Sequence, residues 1–146
     1  MMTATPRVYL DANVFIAAFE TPGAHSDHAW RLIDAVEKGQ IFGATSEMTL
    51  AEILVGPMKL GDIELATGYE NLIASTENFE VLPIRRDVLI EAARLRSQRA
   101  SIHIVSARAL ACSCIVSDDR RLAAVDGLKL LPVNPSTLDD ILLNRP

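Results

Sequence analysis

The chain has 146 residues, enough for one domain with a substantial core, and 49% of them are apolar with only 5% aromatic, so that core is mainly Leu, Ile, Val and Ala. No uninterrupted apolar run approaches the roughly 18 residues a membrane helix needs, and residues 1–7 lack the apolar stretch of a signal peptide, so a cytoplasmic protein is expected. The net charge of −5 argues against general coating of nucleic acid.

The first element is the β-prone run Val8-Tyr9-Leu10, which ends in Asp11 and passes at once into a helical apolar pattern (Val14, Phe15, Ile16, Phe19). A buried strand opening into a helix with a carboxylate at the junction is how open α/β sheets present chemistry. A simple N-cap role for Asp11 is the competing account. Thr21-Pro22-Gly23 breaks the pattern, and residues 25–38 read as an amphipathic helix with Ala29, Leu32, Ile33 and Val36 on one face, Ser26 as N-cap and Gly39 as stop. His25 and His28 lie one helical turn apart, but no third ligand accompanies them at ligand spacing. They read as exposed first-turn residues.

Residues 41–45 fit a second strand, after which Ser46 caps a helix from residue 47 to about residue 55, stopped by Gly56-Pro57. Glu47 suits the positive end of that helix. Glu52 sits among Leu50, Ala51, Ile53, Leu54 and Val55, where a buried, unpaired acid would be costly. It lies either on a narrow solvent stripe or against a polar cleft. Residues 60–75 form another amphipathic helix, residues 79–83 alternate as a strand does, and residues 87–99 form a helix with Val88, Leu89, Ala92, Ala93 and Leu95 inward and Arg94, Arg96 and Arg99 outward.

Residues 102–111 are helical again, and residues 112–117 return to strand character. Cys112 and Cys114 are too close for an ordinary disulfide and have no second pair to make a zinc site, so they read as small packing residues. The strand runs into Ser117-Asp118-Asp119-Arg120-Arg121, a second strand-end carboxylate site. Residues 128–133 form the last strand, and Asn134-Pro135 opens a final helix with Leu138, Ile141 and Leu142 packing inward.

This alternation predicts an α/β fold of three layers, a central parallel sheet with helices on both faces. Asp11 and the Asp118/Asp119 pair then share the carboxyl edge of the sheet, with Glu52 able to lean over it. Carboxylates gathered in this way repel one another unless a cation or a proton intervenes, and oxygen-rich sites favour Mg²⁺ or Mn²⁺. Such an ion can orient water for attack on a phosphodiester. Residues 85–121 hold eight arginines against four acids, which permits a local basic surface for phosphate, although a solvated helix face gives the same count. No phosphate-binding Gly-rich loop is present, and Asn13 stands where a phosphoaspartyl hydrolase needs a second Asp.

VYLDANVFI at the start, TLAEIL around Glu52 and the late IVSDDRRL together resemble a PIN domain of the small prokaryotic kind that includes VapC-type toxins, and the resemblance spans nearly all of residues 1–146 as a single domain. It implies a Mg²⁺- or Mn²⁺-dependent endoribonuclease that hydrolyses RNA phosphodiesters with a metal-bound water, commonly a homodimer and paired with an antitoxin protein. Carried over by position, Asp11, Glu52 and Asp119 are the catalytic acids and metal ligands, with Asn13 and Ser117 in support. Members usually carry a further acid before the late strand in a pattern like Asp-Ala-Ile-His, where this chain has Ala100-Ser101-Ile102-His103. Asp118 as an extra metal ligand, or Ser101 holding a metal-bound water, would compensate, and the alternative is a catalytically degenerate module that binds RNA or protein. His103 is expected to pack. Arg96, Arg99, Arg120 and Arg121 are the expected RNA contacts.

Overall fold

A computed structural model describes residues 4–95, 98–119, 122 and 127–143, with the side chains of residues 98–100 outside the description. Five strands form one sheet in the order β3-β2-β1-β4-β5, namely β1 (Arg7–Leu10), β2 (Phe42–Ser46), β3 (Phe79–Leu82), β4 (Cys114–Val116) and β5 (Lys129–Leu131). Every pairing is parallel, with Val8 opposite both Gly43 and Cys114 and Leu10 opposite Val116. The intervening helices are α1 (Ala12–Glu20), α2 (Ala24–Glu37), α3 (Glu47–Leu60), α4 (Ile63–Leu72), α5 (Arg86–Arg94), α6 (Gln98–Ala109) and α7 (Thr137–Leu143). The three-layer α/β/α expectation is borne out.

Alternation along β1 divides the core between the two faces of the sheet. Val8 and Leu10 pack with Phe15 of α1, Leu32 of α2, Tyr69 of α4 and Ile141 of α7. Tyr9 points the other way and joins Ala44, Ile115 and the α6 residues Ile104, Ala107 and Leu110. Gly43 on β2 is a close-packing position, because a Cβ there would lie 2.8 Å from Val36 Cγ2 and 2.9 Å from Phe79 Cδ1. Cys112 is buried two residues ahead of β4 and Cys114 is buried at its start, which pushes the Cys112 thiol up to about 12 and that of Cys114 up to about 11. They are inert packing residues, as expected.

Several boundaries differ from the sequence expectation, each for a local reason. Gly23 rather than Ser26 caps α2; Ser26 Oγ donates 3.0 Å to the Ala18 carbonyl at the end of α1 instead. Helix α3 runs through Gly56 and Pro57 to Leu60 and is ended by Gly61 at φ 69°, with Asp62 N–H returning to Pro57 O at 2.9 Å. α4 therefore starts only at Ile63, where the Asp62 side chain accepts from Leu65 N–H at 3.1 Å. The helix expected over residues 87–99 ends as α5 at Arg94, and its buried stripe is only Val88 and Ala92, leaving Leu89 and Leu95 exposed. The last helix begins two residues beyond Pro135, because Asn134 Oδ1 accepts from Ser136 N–H at 3.0 Å and forms a turn ahead of it.

Candidate active site at the carboxyl end of β1

Chain connections leave β1 toward β2 on one side while β4 lies on the other, so the crevice beyond β1 and β4 is the switch point where open parallel sheets bind ligands. Asp11 stands at its floor, only 3% exposed, with its backbone N–H bonded to Val116 O of β4 at 3.1 Å. Its Oδ1 accepts Ala12 N–H at 2.7 Å, so the residue does cap α1. Its Oδ2 accepts the Ser117 hydroxyl at 2.5 Å and lies 3.5 Å from Asn13 Nδ2. Capping and presentation at the strand end are both true of this side chain. Burial raises the Asp11 carboxyl above its ordinary value, a shift opposed by His103, the Ser117 hydroxyl and Ala12 N–H and increased by Glu52.

Glu52 reaches the same spot from α3. Thr49, one turn earlier, is buried and bonded to Thr45 of β2 through 2.7 Å, which fixes that helical face against the sheet edge. The Glu52 side chain is 21% exposed, and its Oε1 lies 2.5 Å from His103 Nε2. The polar-cleft reading of Glu52 is therefore the one the geometry supports.

His103, on α6, is the residue that sequence reasoning assigned to packing. Its 3% exposure agrees with that, but its nitrogens are not packed against carbon. Nε2 faces Glu52 and also Asp11 Oδ1 at 3.3 Å, while Nδ1 lies 2.7 Å from the hydroxyl of Tyr9. That hydroxyl donates in turn to Ser46 Oγ at 2.8 Å, which is why Ser46, at the N-cap of α3, makes no capping bond with its side chain. Burial holds the Tyr9 phenol well above its usual range, so it remains a hydroxyl. The signal in the sequence was a histidine among Ile102, Ile104 and Ala107. A buried imidazole requires polar partners, and the chain offered acids to supply them.

Donor atoms of Asp11, Glu52 and His103 all lie within 4.8 Å of one another. Ligands about 2.1 Å from a divalent ion at right angles stand about 3 Å apart, so the 3.3 Å between Asp11 Oδ1 and His103 Nε2 suits neighbouring ligands, whereas the 2.5 Å between Glu52 Oε1 and His103 Nε2 is a hydrogen bond that an ion would have to open. Two carboxylates, one held where burial penalises its charge, make a donor set that a divalent cation fits.

The other expected site residues fall differently. Asp119 is half-buried and its N–H donates to Ser117 Oγ at 2.9 Å; it stands outside the group of three. Asp118 turns away from Asp11: Oδ1 accepts Val133 N–H at 3.0 Å, and Oδ2 pairs with His25 Nε2 at 3.1 Å. Both Asp118 oxygens are thus engaged away from Asp11, and His25 has a partner that exposed first-turn residues were not expected to have. Ser101 is fully buried and lies two residues from His103 on the same helix, roughly 200° around it, so it does not share the direction of the imidazole. Its Oγ has no hydrogen-bond partner among the described residues. Arg96, Arg120 and Arg121, and the side chain of Arg99, lie outside the described residues. Beside Asp119 opens a cleft of about 500 Å³ lined by Ser117, Asp118, Leu122, Leu130 and Pro132.

Solved structures share this fold at low sequence identity. The VapBC2 complex of Rickettsia felis, bound to a DNA fragment from its promoter, contains a chain with a TM-score of 0.65 and 16% identity, covering 88% of this chain and 99% of that one. VapC20 of Mycobacterium tuberculosis, a Sarcin–Ricin loop cleaving toxin, gives a TM-score of 0.61 and 14% identity over 95% of this chain and 99% of its own. A toxin–antitoxin complex from Klebsiella pneumoniae gives 0.59 and 19% identity over 83% and 94%. Comparison with curated proteins by sequence gives no match. The family model described as PIN domain matches residues 8–128, from the second residue of β1 to the threshold of β5. With that span matched and the sheet order in place, the chain belongs to the PIN domain family.

Proposed function

We propose that this protein is a divalent-metal-dependent endoribonuclease, the toxin of a toxin–antitoxin pair, acting in the cytoplasm as a homodimer. The observation that carries the reading is the convergence of Asp11 from β1 and Glu52 from α3, with donor atoms within 4.8 Å at the switch point of a PIN-domain sheet. Asp11 and Glu52 hold Mg²⁺ or Mn²⁺, and Asp119 completes the acidic set from the neighbouring strand end. A bound divalent cation would supply the charge that activates water toward a phosphodiester and offsets charge on the leaving oxygen. Ser117 and Asn13 keep the Asp11 carboxylate oriented, and the enclosure of Asp11 limits bulk water around it. The cleft beside Asp119 receives the RNA strand, and Arg96, Arg99, Arg120 and Arg121 contact its phosphates.

Toxin–antitoxin complexes among the structural neighbours support an antitoxin partner. Val55, Met58, Leu60 and Ile63 are 49–84% exposed around the α3–α4 junction, an apolar surface that a second copy would cover. Among the described residues no helix is long and apolar enough to cross a membrane.

Calorimetric titration with Mn²⁺ tests the reading, using the wild type, Asp11→Asn and Ala100→Asp, followed by RNA cleavage with the variants that bind. Binding by the wild type that Asp11→Asn abolishes, together with cleavage, is expected. No binding by the wild type, restored in Ala100→Asp, overturns the nuclease and leaves a degenerate PIN module that acts by binding RNA or protein.

A further inference from the structure

The site contains a nitrogen donor that the acidic set does not account for. His103 is 3% exposed and brings Nε2 to 2.5 Å from Glu52 and 3.3 Å from Asp11, the two carboxylates assigned to the metal. We infer that His103 Nε2 is a third metal ligand beside Asp11 and Glu52, so that the site takes Mn²⁺ or another nitrogen-tolerant divalent transition ion in preference to Mg²⁺. The inference rests on the metal-site reading above and chooses between its two ions.

Three features carry it. A ligating imidazole normally has its second nitrogen fixed by a hydrogen bond, which sets both the tautomer and the ring plane. Here Nδ1 lies 2.7 Å from the Tyr9 hydroxyl, and that hydroxyl donates onward to Ser46 at 2.8 Å. With its proton directed at Ser46, Tyr9 accepts from Nδ1–H and fixes the ring so that Nε2 faces the carboxylates; the proton that Nε2 shares with Glu52 Oε1 at 2.5 Å is the one an incoming divalent ion would displace. Tyr9 has no exposure, so this arrangement is held inside the sheet and does not depend on solvent.

The second feature is the donor count. Helix α6 brings an imidazole to the group of three, and Ala100, one turn earlier, brings no carboxylate. Carboxylate oxygens from Asp11 and Glu52, joined by Asp119 at the neighbouring strand end, and one imidazole nitrogen make a mixed donor set. Mg²⁺ dehydrates reluctantly and favours oxygen, whereas Mn²⁺ and later divalent ions accept imidazole with rising affinity along the series.

The third is spacing. An imidazole serving only as a hydrogen-bond donor to Glu52 would need no second carboxylate within reach, but all three donor atoms fall within 4.8 Å.

The test is pulsed electron paramagnetic resonance of Mn²⁺-loaded wild type, with Mg²⁺ competition and His103→Gln as the comparison. A strong ¹⁴N coupling from a directly bound imidazole is expected, with Mn²⁺ held at least about tenfold more tightly than Mg²⁺. In His103→Gln, which offers an amide oxygen, the coupling disappears and the preference collapses toward unity. Tight Mn²⁺ binding by the wild type without ¹⁴N coupling overturns the ligand assignment while leaving the metal site standing. No binding of either ion by the wild type overturns both readings. Since the coupling is read on the wild type, poor folding of the variant does not blunt the test.

Discussion

Ser117 Oγ donates to Asp11 Oδ2 across 2.5 Å, joining side chains 106 residues apart at the ends of adjacent parallel strands. The same oxygen accepts Asp119 N–H at 2.9 Å, so one hydroxyl orients the buried carboxylate and the turn carrying the next acid. Ser117→Ala removes a hydrogen-bond donor to a buried acid, which costs about 1–3 kcal/mol. Mn²⁺ affinity should fall about tenfold, as it does when a metal ligand loses its supporting hydrogen bond. Ser117→Thr keeps the hydroxyl and should restore most of both. Chemical denaturation and calorimetry read the two effects, and an unchanged Mn²⁺ affinity in Ser117→Ala would show that Asp11 needs no such support.

Burial leads the causes that raise the Asp11 carboxyl, and the sign of its effect on stability follows from that. When the native pKa exceeds the unfolded one, the native chain holds the proton more tightly between the two values. This contribution to stability is complete below the unfolded value, near 3.9, and is lost as pH rises through the higher folded value. At neutral pH the charged Asp11 therefore destabilises the metal-free protein. Asp11→Asn keeps an oxygen for Ala12 N–H, removes the charge, and should raise the melting temperature in chelator at neutral pH by a few degrees. The stabilisation by added Mn²⁺ should vanish at the same time. Melting curves of both proteins from about pH 4 to pH 8 test this, and a lower melting temperature for the variant across that range would contradict it.

Much of this site can be read from sequence because strand ends and carboxylates are local signals. Val8-Tyr9-Leu10-Asp11 gives the strand, its exit and the acid in four residues, and the cluster forms where the parallel sheet requires it. Glu52 was legible as an acid out of place in an apolar turn. His103 was not, because its role depends on which way α6 rotates over Tyr9 and β2, a packing property that helical period alone does not fix. Asp118 and Asp119 illustrate the same limit. They are adjacent in sequence, yet one turns to His25 and Val133 while the other stays beside Ser117. The start of α2 differs because Ser26 bonds to Ala18 instead of capping, whereas α3 begins at Glu47 with Ser46 at its N-cap as expected, the Ser46 hydroxyl accepting from Tyr9.

Gly43 lets α2 and β3 approach β2. A methyl group there would meet Val36 at 2.8 Å and Phe79 at 2.9 Å, branched and ring carbons with little room to retreat. Gly43→Ala should destabilise the fold by about 1–3 kcal/mol, the usual cost of an overpacked core. Because Gly43 lies on β2 near its amino end, away from the carboxyl edge, Mn²⁺ affinity of the folded fraction should not change. A denaturation midpoint equal to that of the wild type would mean that α2 shifts outward at little cost.

His25 and Asp118 clip the start of α2 to the strand end that carries Asp119. The side chains are 41% and 36% exposed, so the 3.1 Å ion pair is worth at most about 1 kcal/mol in water. The second oxygen of Asp118 matters more, since it satisfies Val133 N–H at 3.0 Å in the loop before α7. Asp118→Asn retains an acceptor for that N–H and should cost less than about 1 kcal/mol. Asp118→Ala strands it and should cost about 1–3 kcal/mol. His25→Ala should match the Asn variant and add little to it in the double mutant, as expected for two partners in one contact. None of the three should change Mn²⁺ affinity by more than about threefold, a shift under 1 kcal/mol, because both Asp118 oxygens are engaged away from Asp11. If Asp118→Asn instead loses more than about tenfold in Mn²⁺ affinity with its denaturation midpoint intact, Asp118 swings to the ion on binding and the clip is the resting position of a ligand.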